Sequence, residues 1–313
     1  MKKTEIPAVF FERLKKILPE DLYSSVVETY VAPDPITIRV NTLKSSCAEV
    51  VARLGSEGAV LTPVSWSHEV FEVTNMAREV LSAHALLEAG AVYQQSFSSL
   101  LPAVLLSPKP GDRVLDTCAA PGSKTTQMAA LMKGEGLITA VEAVKERFYR
   151  LKAVVTLLGV SNIEYKLMDA RRFEPRDGLY DRVLVDAPCS SEGRFKTFIP
   201  KTFAYWSPRK IKEMSHKQKG ILLSASRALK PGGELVYSTC TCAPEENEEV
   251  VDWFLRKNDS GFMLSPAELP GVVRYPAVQE WNGRAYKNDV SACVRVLPNA
   301  RYSGFFMAKF IKG

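Results

Sequence analysis

The sequence has no C-x-x-C pair and only three histidines, His68, His84 and His216, none of them beside a cysteine. Its six cysteines, Cys47, Cys118, Cys189, Cys240, Cys242 and Cys293, therefore lack the spacing of a zinc site, and no metal is expected. A long chain of this kind does not call for disulfides, and a Cys-His hydrolase has no support from adjacency. No apolar run approaches the ~20 residues of a membrane span, and no N-terminal stretch fits a signal peptide. A cytoplasmic protein without a membrane partner is expected. Repeats and low-complexity tracts are missing too.

What is present is ordinary in bulk. Hydrophobic residues make up 46% and charged residues 24% of 313 positions, enough for one large domain and a smaller one. The 41 Lys and Arg exceed the 35 Asp and Glu by 6. That surplus is local, because eight basic residues stand against two acids between Ser190 and Gly220. A patch of this kind points to nucleic acid.

The chain is organised around Gly111-Asp-Arg-Val-Leu-Asp-Thr-Cys-Ala-Ala-Pro-Gly-Ser-Lys-Thr125. A short apolar run stops at Asp116, a turn of small residues follows, and a helical pattern opens, as in a nucleotide-type site. A phosphate-cradling P-loop would need glycines where Ser123 and Cys118 stand. A dinucleotide fingerprint would need three spaced glycines, and this loop offers Gly122. An S-adenosylmethionine loop needs only small residues against methionine and ribose, which Ala119, Ala120 and Gly122 supply. The carboxylate for the ribose hydroxyls is expected at the end of the next strand, where Leu137-Ile-Thr-Ala-Val-Glu142 ends. The competing reading makes Glu142 a cap for the helix near Lys145.

Two short helices are expected between Ile6 and Tyr30, a strand over Ile36–Asn41, a helix around Ala48–Leu54, and strands at Val60-Leu61 and Val70–Val73. This reads as a small α/β module over residues 1–95, ahead of a main domain over 96–313. Tyr93–Pro102 reads as a helix leading into the first central strand. Strands Leu137–Glu142, Asn162–Leu167 and Asp181–Asp186 then alternate with a helix at Lys145–Leu158. A long helix over Ile211–Leu229 is expected to stop at Lys230-Pro-Gly-Gly233, before strand Glu234–Ser238. Val290–Val296 and Gly304–Phe310 read as a closing antiparallel pair. The alternation predicts a doubly wound parallel sheet, with Asp116, Glu142, Asp169 and Asp186 ringing one crevice at the strand ends. Asp169 is placed near the adenine, with a helix cap as the alternative.

Methyltransferases acting on exocyclic amines end the fourth strand with an aromatic residue after two prolines; here Asp186-Ala-Pro-Cys189 has a thiol in that place. Cys240 ends the fifth strand, so two thiols face one pocket. Carbon 5 of cytosine takes a methyl group only after a nucleophile adds at carbon 6, which a thiolate can do. The carbon-5 proton must then leave, where a second basic group helps, and Asp186 can bind the cytosine edge at N3 and N4. A lone cysteine would read as a buried small hydrophobe. Cys118, Cys47, Cys242 and Cys293 read as structural thiols.

The motifs Asp116-Thr-Cys-Ala-Ala-Pro-Gly-Ser-Lys-Thr125, Asp186-Ala-Pro-Cys-Ser190, Tyr237-Ser-Thr-Cys-Thr241 and Glu246-Asn-Glu248 closely resemble those of the NOL1/NOP2/Sun RNA cytosine-5 methyltransferases. Arg39-Val-Asn-Thr-Leu-Lys44 and Gly304-Phe-Phe306 match as well, so the resemblance spans nearly the whole chain. It implies a mostly parallel seven-stranded Rossmann-like sheet with a small RNA-recognition-like N-terminal module. It also implies Cys240 as nucleophile, Cys189 assisting release, and Lys124 in the catalytic pocket with Asp186. DNA cytosine-5 enzymes use the Pro-Cys thiol instead, so the choice between the two thiols rests on likeness and not on spacing.

The expected S-adenosylmethionine set is Cys118, Ala119, Ala120, Pro121, Gly122, Ser123 and Lys124, with Glu142, Arg147, Asp169 and Asp186. The expected RNA contacts are Arg39, Asn41 and Lys44 in the N-terminal module, and Arg194, Lys196, Lys201, Arg209 and Lys210 in the basic segment. The implied substrate is ribosomal or transfer RNA, met by a monomer. Two rivals remain, a catalytically inactive RNA-binding protein on the same fold, and a methyltransferase for protein or a small molecule.

Overall fold

The computed structural model describes residues 5–174, 178–257 and 261–313. Helices α1 (Ala8–Ile17) and α2 (Glu20–Thr29) come first. Pro19 separates them, because the residue before a proline is driven out of the helical region, and Leu18 sits at φ −93° and ψ 149°. Their apolar faces pack far along the chain: Phe10, Leu14 and Val26 share a core with Phe195, Phe203, Trp206, Ile211 and Leu297. Phe10 lies 5.1 Å from the Phe195 ring, 5.5 Å from Tyr30 and 5.7 Å from Trp206. Truncating so buried a ring to alanine costs about 3–5 kcal/mol.

A small sheet follows, made of β1 (Ile36–Val40), β2 (Val60–Val64), β3 (Ser67–Thr74) and β4 (Val92–Gln94), interspersed with α3 (Cys47–Ser56), α4 (Arg78–Ser82) and α5 (Ala85–Glu88). Its order is β2-β3-β1-β4 with every pair antiparallel. A capping box starts α3, in which Ser46 accepts from the Glu49 N–H at 3.2 Å and Glu49 accepts from the Ser46 N–H at 2.8 Å. The helix expected over Tyr93–Pro102 is corrected here. Tyr93 and Gln94 pair with Arg39 and Ile38 as strand, and helix begins only at Phe97.

The main domain runs α6 (Phe97–Leu106), β5 (Arg113–Asp116), α7 (Ser123–Leu131), β6 (Leu137–Glu142), α8 (Lys145–Leu157), β7 (Ile163–Leu167), β8 (Tyr180–Asp186), α9 (Pro208–Arg227), β9 (Leu229–Thr239) and α10 (Glu248–Lys257). It closes with β10 (Phe262–Ser265), the small hairpin β11 (Glu280–Trp281) and β12 (Arg284–Ala285), β13 (Val294–Val296) and β14 (Phe305–Lys312). The sheet order is β10-β14-β9-β8-β5-β6-β7, with β13 on β14. Strands β7, β6, β5, β8 and β9 are mutually parallel, whereas β14, β10 and β13 are antiparallel. From β5 the chain winds outward through β6 and β7, then returns to the other side of β5 as β8 and β9. The β5/β8 boundary is thus the switch point, where such sheets open a crevice.

Alternation along the strands buries both faces. Leu184 and Val236 pack with Leu101, Met128 and Leu151 from α6, α7 and α8. Val183, Val185, Leu235 and Tyr237 pack with Leu222 of α9 and with Val250 and Phe254 of α10. The long helix begins earlier than its periodicity suggests, since Pro208 follows Ser207, whose hydroxyl accepts from the Lys210 N–H at 3.1 Å. Lys230-Pro-Gly-Gly233 bulges within β9: Tyr180 pairs with Leu229 but Arg182 pairs with Glu234. Of the expected Val290–Val296 strand, only Val294–Val296 is regular.

Candidate active site

Asp116 ends β5, and the loop from Thr117 to Gly122 leads into α7. Gly122 caps that helix at φ 109°, where a Cβ would come within 3.2 Å of Leu151 and 3.3 Å of Val154 on α8. A side chain there would be strained by its backbone and would push the two helices apart. The first-turn N–H groups of α7 thus open into the crevice, with the positive end of the helix dipole behind them.

Glu142 ends β6 and is 3% exposed. Its Oε1 accepts from the Val144 N–H at 2.9 Å, in the turn just before α8, and no side chain caps the helix itself. Its Oε2 has no hydrogen bond and lies 3.4 Å from Arg147 Nη1, while Arg147 Nη2 donates to the Ala120 carbonyl at 2.7 Å. An unsatisfied buried carboxylate oxygen next to a glycine-opened loop fits a ligand that brings hydroxyl donors, as the ribose of S-adenosylmethionine does. Asp169 follows β7 and caps a short turn at Ala170–Arg172, accepting from the Arg171 N–H at 2.9 Å. The Arg171 guanidinium, bound to the same carboxylate, holds it below its ordinary range.

Asp186 ends β8. Its Oδ2 lies 2.7 Å from Lys124 Nζ, and its Oδ1 accepts from Ser238 Oγ at 2.8 Å. Lys124 also donates to Ser99 Oγ at 3.0 Å. Asp116, 1% exposed, accepts from Thr125 Oγ1 at 2.7 Å, yet burial lifts its carboxyl to about 7. Burial also pushes the Cys118 thiol upward.

Because β8 and β9 run parallel with Asp186 opposite Ser238, the loops that leave them stay together. Cys189 Sγ and Cys240 Sγ lie 3.3 Å apart, both half-buried, with Ser191 Oγ 3.6 Å from Cys240. Their titrations separate. The hydrogen bond from Cys189, the nearby Arg194 guanidinium and Ser191 lower the Cys240 thiol to about 7 against the cost of burial. The same sulfur contact, burial and Glu246 hold the Cys189 proton in place. The contact favours a proton on Cys189 and a charge on Cys240, although either sulfur can donate across it.

Several residues that sequence reasoning had not assigned a place complete the site. Glu192 and Glu246 are 1% and 0% exposed and grip the two thiol loops; burial raises the Glu246 carboxyl to about 8. Glu192 was visible only as an acid inside a basic run, and Glu246 only as part of a motif.

Four expected RNA contacts already have partners within the protein. Arg39, 3% exposed, donates to Thr126 Oγ1 at 3.0 Å, and Asn41, 1% exposed, donates to the Gly90 and Leu158 carbonyls, each at 2.8 Å. Lys44 is exposed, but its ammonium donates to the Ala89 and Leu157 carbonyls at 2.9 and 2.7 Å, at the ends of α5 and α8. These residues join the N-terminal sheet to α7 and α8, and Lys44 does so as a cation at two helix C-termini. Lys196, 8% exposed, donates to the Thr29 and Ala32 carbonyls and pairs with Asp34 at 2.9 Å. Arg194, Lys201 and Arg209 are exposed, and Lys210, half-buried, pairs with Glu213. Among the aromatics of this segment, Phe195, Phe203 and Trp206 are core, while Phe198 and Tyr205 face solvent. Among the described residues, no helix is long and apolar enough to cross a membrane, and no group of His, Cys, Asp and Glu could hold a metal ion.

Comparison with known proteins agrees with this geometry. Residues 103–311 match the family described as 16S rRNA methyltransferase RsmB/F, and residues 6–96 match the N-terminal domain of 16S rRNA methyltransferase RsmF. The chain is 41% identical over 283 residues to a tRNA (cytosine(49)-C(5))-methyltransferase of Pyrococcus abyssi, covering 88% of each. It is 40% identical to a ribosomal RNA small subunit methyltransferase F of Vibrio parahaemolyticus, spanning 78% of this chain but 52% of that one. A solved methyltransferase homolog from Pyrococcus horikoshii superposes with a TM-score of 0.83 at 31% identity, over 99% of this chain and 96% of the other. The chain belongs to the NOL1/NOP2/Sun family of RNA cytosine-5 methyltransferases, whose methyl donor is S-adenosylmethionine.

Proposed function

We propose that this enzyme methylates carbon 5 of a cytidine in structured ribosomal or transfer RNA through a transient bond from Cys240 to carbon 6, with Cys189 assisting release. The observation that carries this reading is the 3.3 Å approach of a thiolate-prone and a proton-holding sulfur beside the Lys124–Asp186 pair. The inactive alternative loses its ground, because both thiols, the lysine and the aspartate are all in place.

The cofactor is assigned to the 118–124 loop, Glu142 and Arg147, with Asp169 and Asp186 bordering it. When bound, it supplies an electrophilic methyl group. The chain's own residues do the rest. Asp186 accepts from the N4 amine of the base, and the Lys124 ammonium beside it offsets the negative charge that develops when a thiolate adds to the ring. Cys240 forms the bond to carbon 6, and the carbon 5–carbon 6 π pair becomes available at carbon 5. Once Cys240 is a thioether it no longer repels a second negative charge, so Cys189 can lose its proton to water. After carbon 5 carries the methyl group, Cys189 takes the carbon-5 proton, the double bond re-forms, and Cys240 leaves as thiolate with Cys189 again its donor. One proton reaches solvent per turnover, and both thiols return to their starting state.

Arg194, Lys201, Arg209 and Lys210, with the exposed Phe198 and Tyr205, are assigned to the RNA backbone and to stacking. The relative matched along most of both lengths acts, by its name, on a tRNA, so transfer RNA is the first substrate to assay. Transfer of tritiated methyl groups to total RNA, followed by bisulfite sequencing of RNA from a deletion strain, tests the reading. Label appearing in protein, in small molecules or nowhere would overturn it.

A further inference from the structure

Two buried carboxylates tie the thiol loops together in a crossed pattern. Glu192 follows Cys189 in the chain, yet its Oε2 accepts from Thr241 Oγ1 at 2.8 Å and from the Cys242 N–H at 3.1 Å, just past Cys240. Its Oε1 accepts from Trp206 Nε1 at 2.9 Å. Glu246 follows Cys240, yet its Oε2 accepts from the Ser190 N–H at 3.0 Å and from Gln218 Nε2 at 2.8 Å. That same Gln218 nitrogen donates to the Pro188 carbonyl at 2.9 Å, so both flanks of Cys189 are held. Between the two grips, Ser190 Oγ and Thr241 Oγ1 share a hydrogen bond of 2.8 Å, and the Gly193 N–H donates to the Cys240 carbonyl at 3.0 Å.

We propose that Glu192 and Glu246 are positioning residues, each holding the thiol-bearing loop from which it does not itself come, and that together they set the 3.3 Å separation of Cys189 and Cys240. Cys189 and Cys240 both lie in irregular backbone just past their strand ends, so the parallel pairing of β8 and β9 brings the sulfurs near each other without fixing them. A buried carboxylate is costly unless its oxygens find donors, and donors of the opposite loop and its neighbours reach both oxygens of Glu192 and Oε2 of Glu246, whose Oε1 has no partner. The crossing makes each loop's position depend on the other's. It also divides the labour: Glu192 acts through the loop of Cys240, and Glu246 through that of Cys189. The division rests on the thiol roles proposed above.

The test uses Glu192→Ala, Glu246→Ala and Glu246→Gln, with calorimetric S-adenosylmethionine affinity as the check of folding. The first readout needs no RNA: the pH profile of Cys240 alkylation by iodoacetamide, followed by peptide mass spectrometry. Its midpoint is expected near 7 in the native enzyme, and in both alanine variants it should move toward ~8.5, the value of an isolated thiol. Glu246→Gln, which keeps an acceptor for the Ser190 N–H, should restore the native profile. The second readout is covalent RNA on a denaturing gel. Glu246→Ala should accumulate it as Cys189→Ala does, whereas Glu192→Ala should form it on the order of 100-fold more slowly. Native alkylation midpoints in both alanine variants, or a glutamine variant no better than alanine, would overturn the proposal. If an alanine variant fails to bind cofactor, Thr241→Val keeps the volume and removes the hydrogen bonds to Ser190 and Glu192; a raised midpoint there supports the clamp, and an unmoved one refutes it. Should Cys189→Ala trap no RNA, the thiol roles fall while the alkylation profiles still decide the clamp.

Discussion

Lys124 Nζ lies 2.7 Å from Asp186 Oδ2 and so joins the helix that follows β5 to the end of β8, across the switch point of the sheet. Ser99 from α6 and Ser238 from β9 complete the pair, and the Phe305 ring lies 5.7 Å from the ammonium. Lys124→Met keeps the length of the side chain and removes its charge. Single-turnover methyl transfer should fall on the order of 100-fold, as when one transition-state donor is lost, with cofactor affinity changed much less. An equal loss in both would make the pair structural.

Glu142→Ala should weaken S-adenosylmethionine binding by about 1–3 kcal/mol, because charge-assisted hydrogen bonds to hydroxyls are lost. Glu142 also accepts from the Val144 N–H in the turn before α8, so a lower melting temperature is expected as well. Calorimetry separates the two effects. A lower melting temperature with an unchanged dissociation constant would leave Glu142 as an anchor of that turn alone.

The strand ends were legible because Val114-Leu115, Leu137–Glu142 and Asp181–Asp186 are apolar runs closed by an acid; Cys189 follows one such end, and Cys240 follows the apolar strand Glu234–Ser238. The partners of the Arg39–Lys44 motif were not legible for a physical reason: a cation before a turn looks the same whether it meets a phosphate, a hydroxyl or the carbonyls at a helix C-terminus. Only the packing of β1 against α7 and α8 tells the two apart. Tyr93 and Gln94 were misread because strand pairing with β1 overrides a helical pattern that starts three residues later. Glu192 and Glu246 stayed hidden because sequence spacing does not reveal that each reaches across to the other loop.

Charge reversal of Lys201 and Arg209 together should weaken RNA binding, and it should reduce the dependence of log Kd on log salt by roughly one to two phosphate contacts. Cofactor affinity should not move, since both side chains are exposed and distant in sequence from the cofactor loop. Binding titrations at several salt concentrations decide this. A native salt slope would remove the patch from the RNA interface.

Two buried carboxyls should cost stability as pH rises from about 4 to about 8. Burial holds the Glu246 carboxyl near about 8 and that of Asp116 near about 7, well above the ~4 of unfolded carboxyls. Between those values the native state binds more protons than the unfolded one, so raising the pH favours unfolding. Glu246→Gln removes one of the two groups. Its melting temperature should therefore decline less than the native one between pH 5.5 and 8.5 in scanning calorimetry. A decline equal to that of the native protein would mean that Glu246 is already charged at the acid end.

The two thiols should fail at different steps, because addition and elimination are different reactions. Without Cys240 no bond to carbon 6 can form, so Cys240→Ala should abolish methylation and every covalent complex with RNA. Without Cys189 the bond still forms and carbon 5 still accepts its methyl group, but the carbon-5 proton is removed slowly and Cys240 stays attached. Cys189→Ala should accumulate a protein–RNA species that survives denaturing electrophoresis, and the double variant should not. Its adduct should also form with a pH midpoint higher than the native one, because the sulfur 3.3 Å from Cys240 no longer donates to the thiolate. If the trapped species appears in Cys240→Ala instead, Cys189 is the nucleophile. If both single variants stay active and neither traps RNA, methylation here does not proceed through a cysteine adduct.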